Sequence, residues 1–273
     1  ALIAIGYTMV YGILRLINFA HGDVFMAAGL IMVYLSASLP IGVALPLMIL
    51  LTVLLGFVIE RAAYKPLRSA PRMSVMISAI GVSYLLQNLV CYVTGGLAKQ
   101  FPDIPLISQS IRVFGVKDKL AVFISPLVAV VLMVILVLII NHTKFGMSMR
   151  AVSKDFETAQ LMGVKINRVI SMTFIIGSFL AAVGALLYFA KNTGINHMAG
   201  STPGIKAFIA AVVGGIGSVP GAVVGALLIG VVESLAKAFG LADFSDVISF
   251  ALLIIILVIK PTGLFGEKTT EKV

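Results

Sequence analysis

LAVFISPLVAVVLMVILVLII, Leu120 to Ile140, runs for 21 residues without one charged side chain. As an α-helix it extends about 30 Å, the thickness of a bilayer's hydrocarbon core. Similar runs recur on both sides of it. Upstream lie Ala1 to Ile13, Val24 to Leu39 (ended by Pro40), Ile41 to Ile59 and Val75 to Thr94. Downstream lie Val169 to Ala190, Ile205 to Gly217, Gly221 to Phe239 and Val247 to Ile259, of which the second and fourth are short for a crossing. The pattern predicts an all-α polytopic transmembrane helical bundle with about eight or nine membrane segments, some short or broken.

Composition points the same way. Of 273 residues, 60% are hydrophobic and 11% charged, with a mean hydropathy of +1.13. A soluble domain carries about 25% charged residues, and one core of this size could not hide so much apolar surface. Lipid must cover part of it. The 20 Lys and Arg against 11 Asp and Glu then read as loops facing anionic lipid. No basic run is interleaved with aromatics in a polar context, so no nucleic-acid partner is expected. The single cysteine, Cys91, lies in an apolar stretch and reads as a buried structural thiol. The chain opens at Ala1 within an apolar run, with no initiator Met and no charged leader. The expectation is one transmembrane domain over 1–273, with an N-terminal leader and part of the first helix missing.

Orientation follows from the basic loops. ERAAYKPLRSAPR carries Arg61, Lys65, Arg68 and Arg72 against Glu60. The loop from Asn141 to Arg168 carries Lys144, Arg150, Lys154, Lys165 and Arg168 against Asp155 and Glu157. Two spans separate them, so both can be cytoplasmic, which places Gly95 to Lys119 outside and the tail after Lys260 inside.

Three features rise above this background. RLINFAHGD, Arg15 to Asp23, puts polar and ionisable residues between two apolar segments. It reads either as a cytoplasmic turn, with Asn18 and Asp23 capping the next helix, or as a hinge beside a watery path that also engages His21. The second is KFGMSMRAVSKDFETAQLMGVKINRVI, a mixed-charge, helix-permissive stretch in which Glu157, Ala159 and Gly163 form a skeleton, with Arg150 upstream. A short helix projecting there could dock in a groove on another subunit, with Gly163 turning the chain back. The third is AFIAAVVGGIGSVPGAVVGALLIGVVESL. Gly217, Gly221 and Gly225 recur at spacing four, a smooth stripe for close helix packing, and GGIGSVPG breaks the apolar run as helices beside transport pathways do. It is neither a P-loop nor a dinucleotide fingerprint. Glu233 stands four residues before Lys237 and is placed to pair with it. His21, His142 and His197 are scattered, so neither hydrolytic chemistry nor a metal or other cofactor is expected.

ALIAIGYTMVYGILRLINFAHGD, ERAAYKPLR, ISAIGVSYLLQN, AAVVGGIGSVPGAVVGALLIGVVES and KPTGLFG together resemble the LivH-type permease subunits of bacterial branched-chain amino-acid ABC importers. The resemblance runs over essentially the whole chain. It implies a multi-pass inner-membrane protein that is no enzyme itself. Its partners would be a second homologous permease subunit, two cytoplasmic ATPase subunits and an extracytoplasmic substrate-binding protein. On that resemblance the ATPase-coupling segment falls on Glu157, Ala159 and Gly163. The Ile-x-Leu-Pro ending of the broader importer motif is absent. Relatives in this family move urea, short amides or other amino acids. An ion-coupled secondary transporter would call for paired acids within the membrane, and only Asp23 and Glu233 are offered. A zwitterionic solute needs polar groups on its path, for which Gln87, Asn88, Asn18 and the backbone around Gly214, Gly215 and Gly217 are candidates.

Overall fold

A computed structural model of the protein describes residues 1–14, 17–68, 70–105, 107–113 and 116–266. Arg15 and Leu16 of the polar break lie outside the described residues, as does the tail from 267 onward. Eleven α-helices follow in order: α1 (Leu2–Leu14), α2 (His21–Ser36), α3 (Ile41–Ile59), α4 (Arg72–Thr94), α5 (Leu120–His142), α6 (Lys144–Lys154), α7 (Phe156–Leu161), α8 (Ile166–Lys191), α9 (Ser201–Gly214), α10 (Val219–Ala238) and α11 (Ser245–Ile259). Helix α3 runs on into a π turn, Glu60–Tyr64, and a 3-10 turn, Ala242–Phe244, leads into α11.

Six of these helices are long and apolar enough to cross a membrane: α3, α4, α5, α8, α10 and α11 with their attached turns. Three shorter ones, α1, α2 and α9, are apolar too. Together they account for the nine apolar runs, while α6 and α7 form the polar stretch before α8. The bundle is organised around α8, which packs on α1, α2 and α3. Helix α1 is buried on almost every side. Helices α5 and α11 lie at the periphery and leave large apolar side chains outward, such as Leu127, Val134 and Leu138 on α5 and Ile254 and Val258 on α11. A helix apolar all round yet exposed is a surface for lipid or for another subunit.

The segments outside the helices meet one another at the two ends of the bundle. Short strands β1 (Lys99–Gln100) and β4 (Gly194–Ile195) pair antiparallel, joining the loop before α5 to the one after α8. Between them, β2 (Ser110–Val113) and β3 (Val116–Lys119) form a hairpin that leads into α5. On the opposite side, the chain after α11 folds back on the end of α9. Leu264 N donates to Val213 O and Phe265 N to Gly214 O, each at 2.9 Å.

Two local expectations change. Helix α2 begins at His21 with no side-chain cap, so Asp23 does not cap it; its carboxylate is taken by another helix. Helix α10 begins at Val219, with Ser218 Oγ accepting from Gly221 N at 3.2 Å, so Gly217 is not part of a helical stripe. It lies in the α9–α10 turn at φ +96°, beside Gly215 at φ +106°. Gly221 and Gly225 do face α9: a Cβ on Gly225 would strike Ala210 O and stand 2.8 Å from Gly214 N. These two helix backbones approach that closely because Gly214, Gly221 and Gly225 put no side chain between them.

Candidate functional site

Polar side chains of the RLINFAHGD break converge inside the bundle. Asn18 is buried, and its Oδ1 accepts from Tyr64 Oη, on the π turn, at 2.7 Å. His21 opens α2 in a slot walled by Gly6 and Gly177, with the Tyr7 ring edge-on at 5.1 Å. A Cβ on Gly6 would stand 2.8 Å from His21 Cε1, so this wall requires glycine. His21 Nε2 has no hydrogen-bond partner among the described residues. One residue further on, a Cβ on Gly22 would come 2.7 Å from Gly200 O and 3.1 Å from Gly204 Cα. The N-terminal ends of α2 and α9 therefore meet backbone to backbone.

Asp23, only 2% exposed, links α2 to α4. Its Oδ1 accepts from Gln87 Nε2 at 3.0 Å, and its Oδ2 accepts from Ser83 Oγ. Ser83 and Gln87 stand four apart, on one face of α4, which is why a single carboxylate reaches both. Gln87 Nε2 also reaches Ser83 Oγ at 3.2 Å, closing a triad. Asn88, one position on, points outward and donates to its own helix at Tyr84 O, 2.8 Å away. It does not join this site. Nor do Gly214, Gly215 and Gly217: they lie at the far end of α9, ten residues or about 15 Å beyond Gly204.

Two charge clusters were not anticipated. Glu60, wholly buried at the end of α3, binds Arg68 and accepts from Ser171 Oγ of α8 at 2.7 Å. Arg68 also donates to Asn167 Oδ1. The clue was an acid on the last apolar turn, eight residues before an arginine. Lys206 of α9 pairs with Glu233 of α10 at 2.8 Å and with Asp246 of α11 at 2.7 Å. Glu233 thus pairs across helices, not with Lys237 on its own, and also accepts from Ser249 Oγ at 3.0 Å. A lysine immediately before AFIAAVVGG needs a carboxylate in so apolar a setting, and Glu233 is the nearest one in the sequence.

The hairpin of α6 and α7 is a built structure. At its entry, Gly146 packs on Ile140 O, and Arg150 donates to the same carbonyl and to Asn141 Oδ1 at 3.4 Å. Arg150 therefore caps the end of α5. Asp155 caps α7: Oδ1 accepts from Glu157 N at 2.9 Å and from Thr158 N at 3.3 Å, and Oδ2 from Thr158 Oγ1 at 2.5 Å. Ala159 is buried beneath α7, Glu157 is exposed, and Gly163 turns the chain at φ +83°, where other residues are strained. At the tip, Leu161 is 86% and Met162 81% exposed. Two large apolar side chains held in water by a capped helix make a contact surface.

The Thr158 hydroxyl and the backbone amides hold the Asp155 carboxyl below the usual carboxylate range. A depressed carboxyl stabilises above its unfolded value, about 3.9, and loses that contribution as pH falls through the lower folded value. Hydrogen exchange at Thr158 N is accordingly expected to stay slow from neutral pH down to about 4 and to speed up in Asp155→Ala at neutral pH. Unchanged exchange in that variant would remove the cap from the account.

The chain matches the family described as "Branched-chain amino acid transport system / permease component" over residues 1–257. It is 39% identical to the high-affinity branched-chain amino acid transport system permease protein LivH of Salmonella typhimurium, covering 100% of this chain and 93% of that protein. It is 42% identical, with the same coverage, to the corresponding permease BraD of Pseudomonas aeruginosa. The ribose import permease RbsC of Haemophilus influenzae is 25% identical over 98% of this chain and 83% of its own length. No solved structure matches it. With the family matched over nearly all of its length, the chain belongs to the permease components of branched-chain amino acid transport systems.

Proposed function

We propose that this chain is the membrane-spanning permease subunit of an ABC importer that carries leucine, isoleucine or valine across the bacterial inner membrane. It acts as one permease domain and carries out no covalent chemistry. A second homologous permease subunit, two cytoplasmic ATPases and an extracytoplasmic substrate-binding protein complete the machine. The relatives named for branched-chain substrates are 39% and 42% identical and the sugar permease 25%, which favours the amino-acid cargo.

The observation that carries the coupling role is the α6–α7 hairpin. Glu157, Ala159 and Gly163 fall on its exposed, buried and turning positions, and Leu161 and Met162 stand clear of the chain's own core. Docking that tip in an ATPase groove buries apolar surface that folding leaves wet. Movement of the ATPases would then reach the bundle through α6 and α8, which flank α7. Inside the bundle, Asn18, His21, Asp23 and Gln87 form the hinge region beside the path. The nucleotide cycle supplies the free energy, and the difference in contacts between states converts it into movement.

The test is reconstitution with and without the ATPases, following labelled leucine. Uptake is expected only with both ATPases and ATP; uptake driven by an ion gradient alone would sink the reading. Glu157→Arg and Gly163→Leu are each expected to reduce ATPase co-purification at least about tenfold, the equivalent of 1.4 kcal/mol, with membrane insertion intact. Full recovery of ATPase with both variants would remove the hairpin from the coupling role.

A further inference from the structure

Against the α6–α7 hairpin lies a cleft of about 1120 Å³ between the end of α3, the start of α4 and the start of α8. Four cationic side chains line it: Arg68, Lys154, Lys165 and Arg168. Its one carboxylate, Asp155, is engaged in capping α7. Arg68 is held by Glu60 and Asn167, yet its Nε has no partner among the described residues. Lys154, Lys165 and Arg168 form no ion pair among the described residues. Much of the remaining wall is apolar, with Leu14 of α1, Val164 just before α8 and Ile166 of α8 partly exposed in it and Val75 and Ile170 buried at its back.

Each part of this cleft excludes some occupants. Three unpaired cations around one space repel one another unless an anion joins them. A free inorganic anion would satisfy the rim but leave the apolar wall wet. A zwitterionic headgroup brings no net charge. The starts of α4 and α8 and the end of α3 stand where the hydrocarbon core gives way to headgroups, the depth at which a phosphate group lies. We infer that the cleft is a binding site for one anionic phospholipid, its phosphate among Lys154, Lys165 and Arg168 and an acyl chain along Leu14, Val164 and Ile166. The lipid bridges the hairpin to the α3–α4 corner. It thereby makes the position of α7 sensitive to the anionic-lipid content of the inner leaflet. The site itself does not depend on the ATPase reading.

The test is native mass spectrometry of the intact permease, released from detergent. It is titrated with phosphatidylglycerol, with phosphatidylethanolamine of the same chains, and with inorganic phosphate. Wild type is compared with Lys165→Gln/Arg168→Gln, with Lys154→Gln/Arg168→Gln, and with Lys99→Gln/Lys117→Gln, which removes two cations from the outer side. Phosphatidylglycerol is expected to bind at least about tenfold more tightly than phosphatidylethanolamine. Each cation removed from the cleft is expected to cost roughly fivefold, so about 25-fold for either inner pair. The outer pair should bind as wild type does. Equal binding of the two lipids, or undiminished binding by both inner variants, overturns the site. Phosphate that saturates the protein while phosphatidylglycerol adds nothing overturns the lipid and leaves a free-anion site. Inner variants that lose the ATPases but keep the lipid make the cleft a subunit contact, which also overturns it.

Discussion

Arg68→Ala is expected to lower the midpoint of heat-induced loss of monodisperse protein by roughly 10 °C, corresponding to about 3–5 kcal/mol. Glu60 is wholly buried, and with Arg68 gone only the Ser171 hydroxyl faces its carboxylate. The loss comes from stranding a charge away from water more than from the attraction removed. The double variant Arg68→Ala/Glu60→Gln discriminates: with both charges gone, most of the lost midpoint should return. Two outcomes would defeat this account. One is a single variant within about 2 °C of wild type, and the other is a double variant as unstable as the single one. The pair ties α3 to α8 through Ser171 and Asn167, so the same variant should also loosen the cytoplasmic ends of those helices.

The second large effect concerns two glycines on one helix. Gly225 and Gly230 both lie within α10, and alanine at either gains about 1 kcal/mol in helix propensity. They differ only in what a methyl group would meet. At Gly230 there is nothing within 4 Å; at Gly225 it meets Ala210 O and the backbone of Gly214. Backbone atoms of a packed helix cannot swing aside as a side chain can. Gly225→Ala is therefore expected to cost about 1–3 kcal/mol net, and Gly225→Val more, whereas Gly230→Ala is neutral or stabilising. Thermal midpoints of the three variants in one detergent decide it. Equal midpoints for the two alanine variants would show that α9 and α10 do not pack as described.

These cases also show what could be read in advance. The membrane helices were legible because hydropathy is a local property, and each apolar run of the chain becomes a helix. The smooth face of α10 was legible at Gly221 and Gly225 for the same reason. Gly217 was not, because Ser218 starts the helix after it, and spacing alone cannot tell a stripe from a turn. Asp23 and Gln87 could be named as polar residues in apolar company, but their union depends on α4 lying across α2, a contact between positions 64 residues apart. Glu60 with Ser171 and Lys206 with Glu233 escaped for that reason. Glu233 and Glu60 stand out as acids in apolar company, but their partners become visible only when distant segments are brought together. Asn88 erred the other way. It looks like Gln87 in sequence, yet one step along a helix turns a side chain by about 100° and takes it out of the interior.

The Asp23 triad has a mechanical consequence. Helix α4 rests against the bundle chiefly at α2 and at the π turn, so Ser83 and Gln87 are a large part of what holds it. A carboxylate gripped by two donors out of water resists small displacements, since half a hydrogen bond there satisfies nobody. With both donors gone, the π turn is what remains to hold the helix. The triad is therefore expected to act as a detent, with α4 released in one step and not by degrees. A spin label on Tyr92 should then record two populations during transport; a continuous spread of positions would overturn the detent.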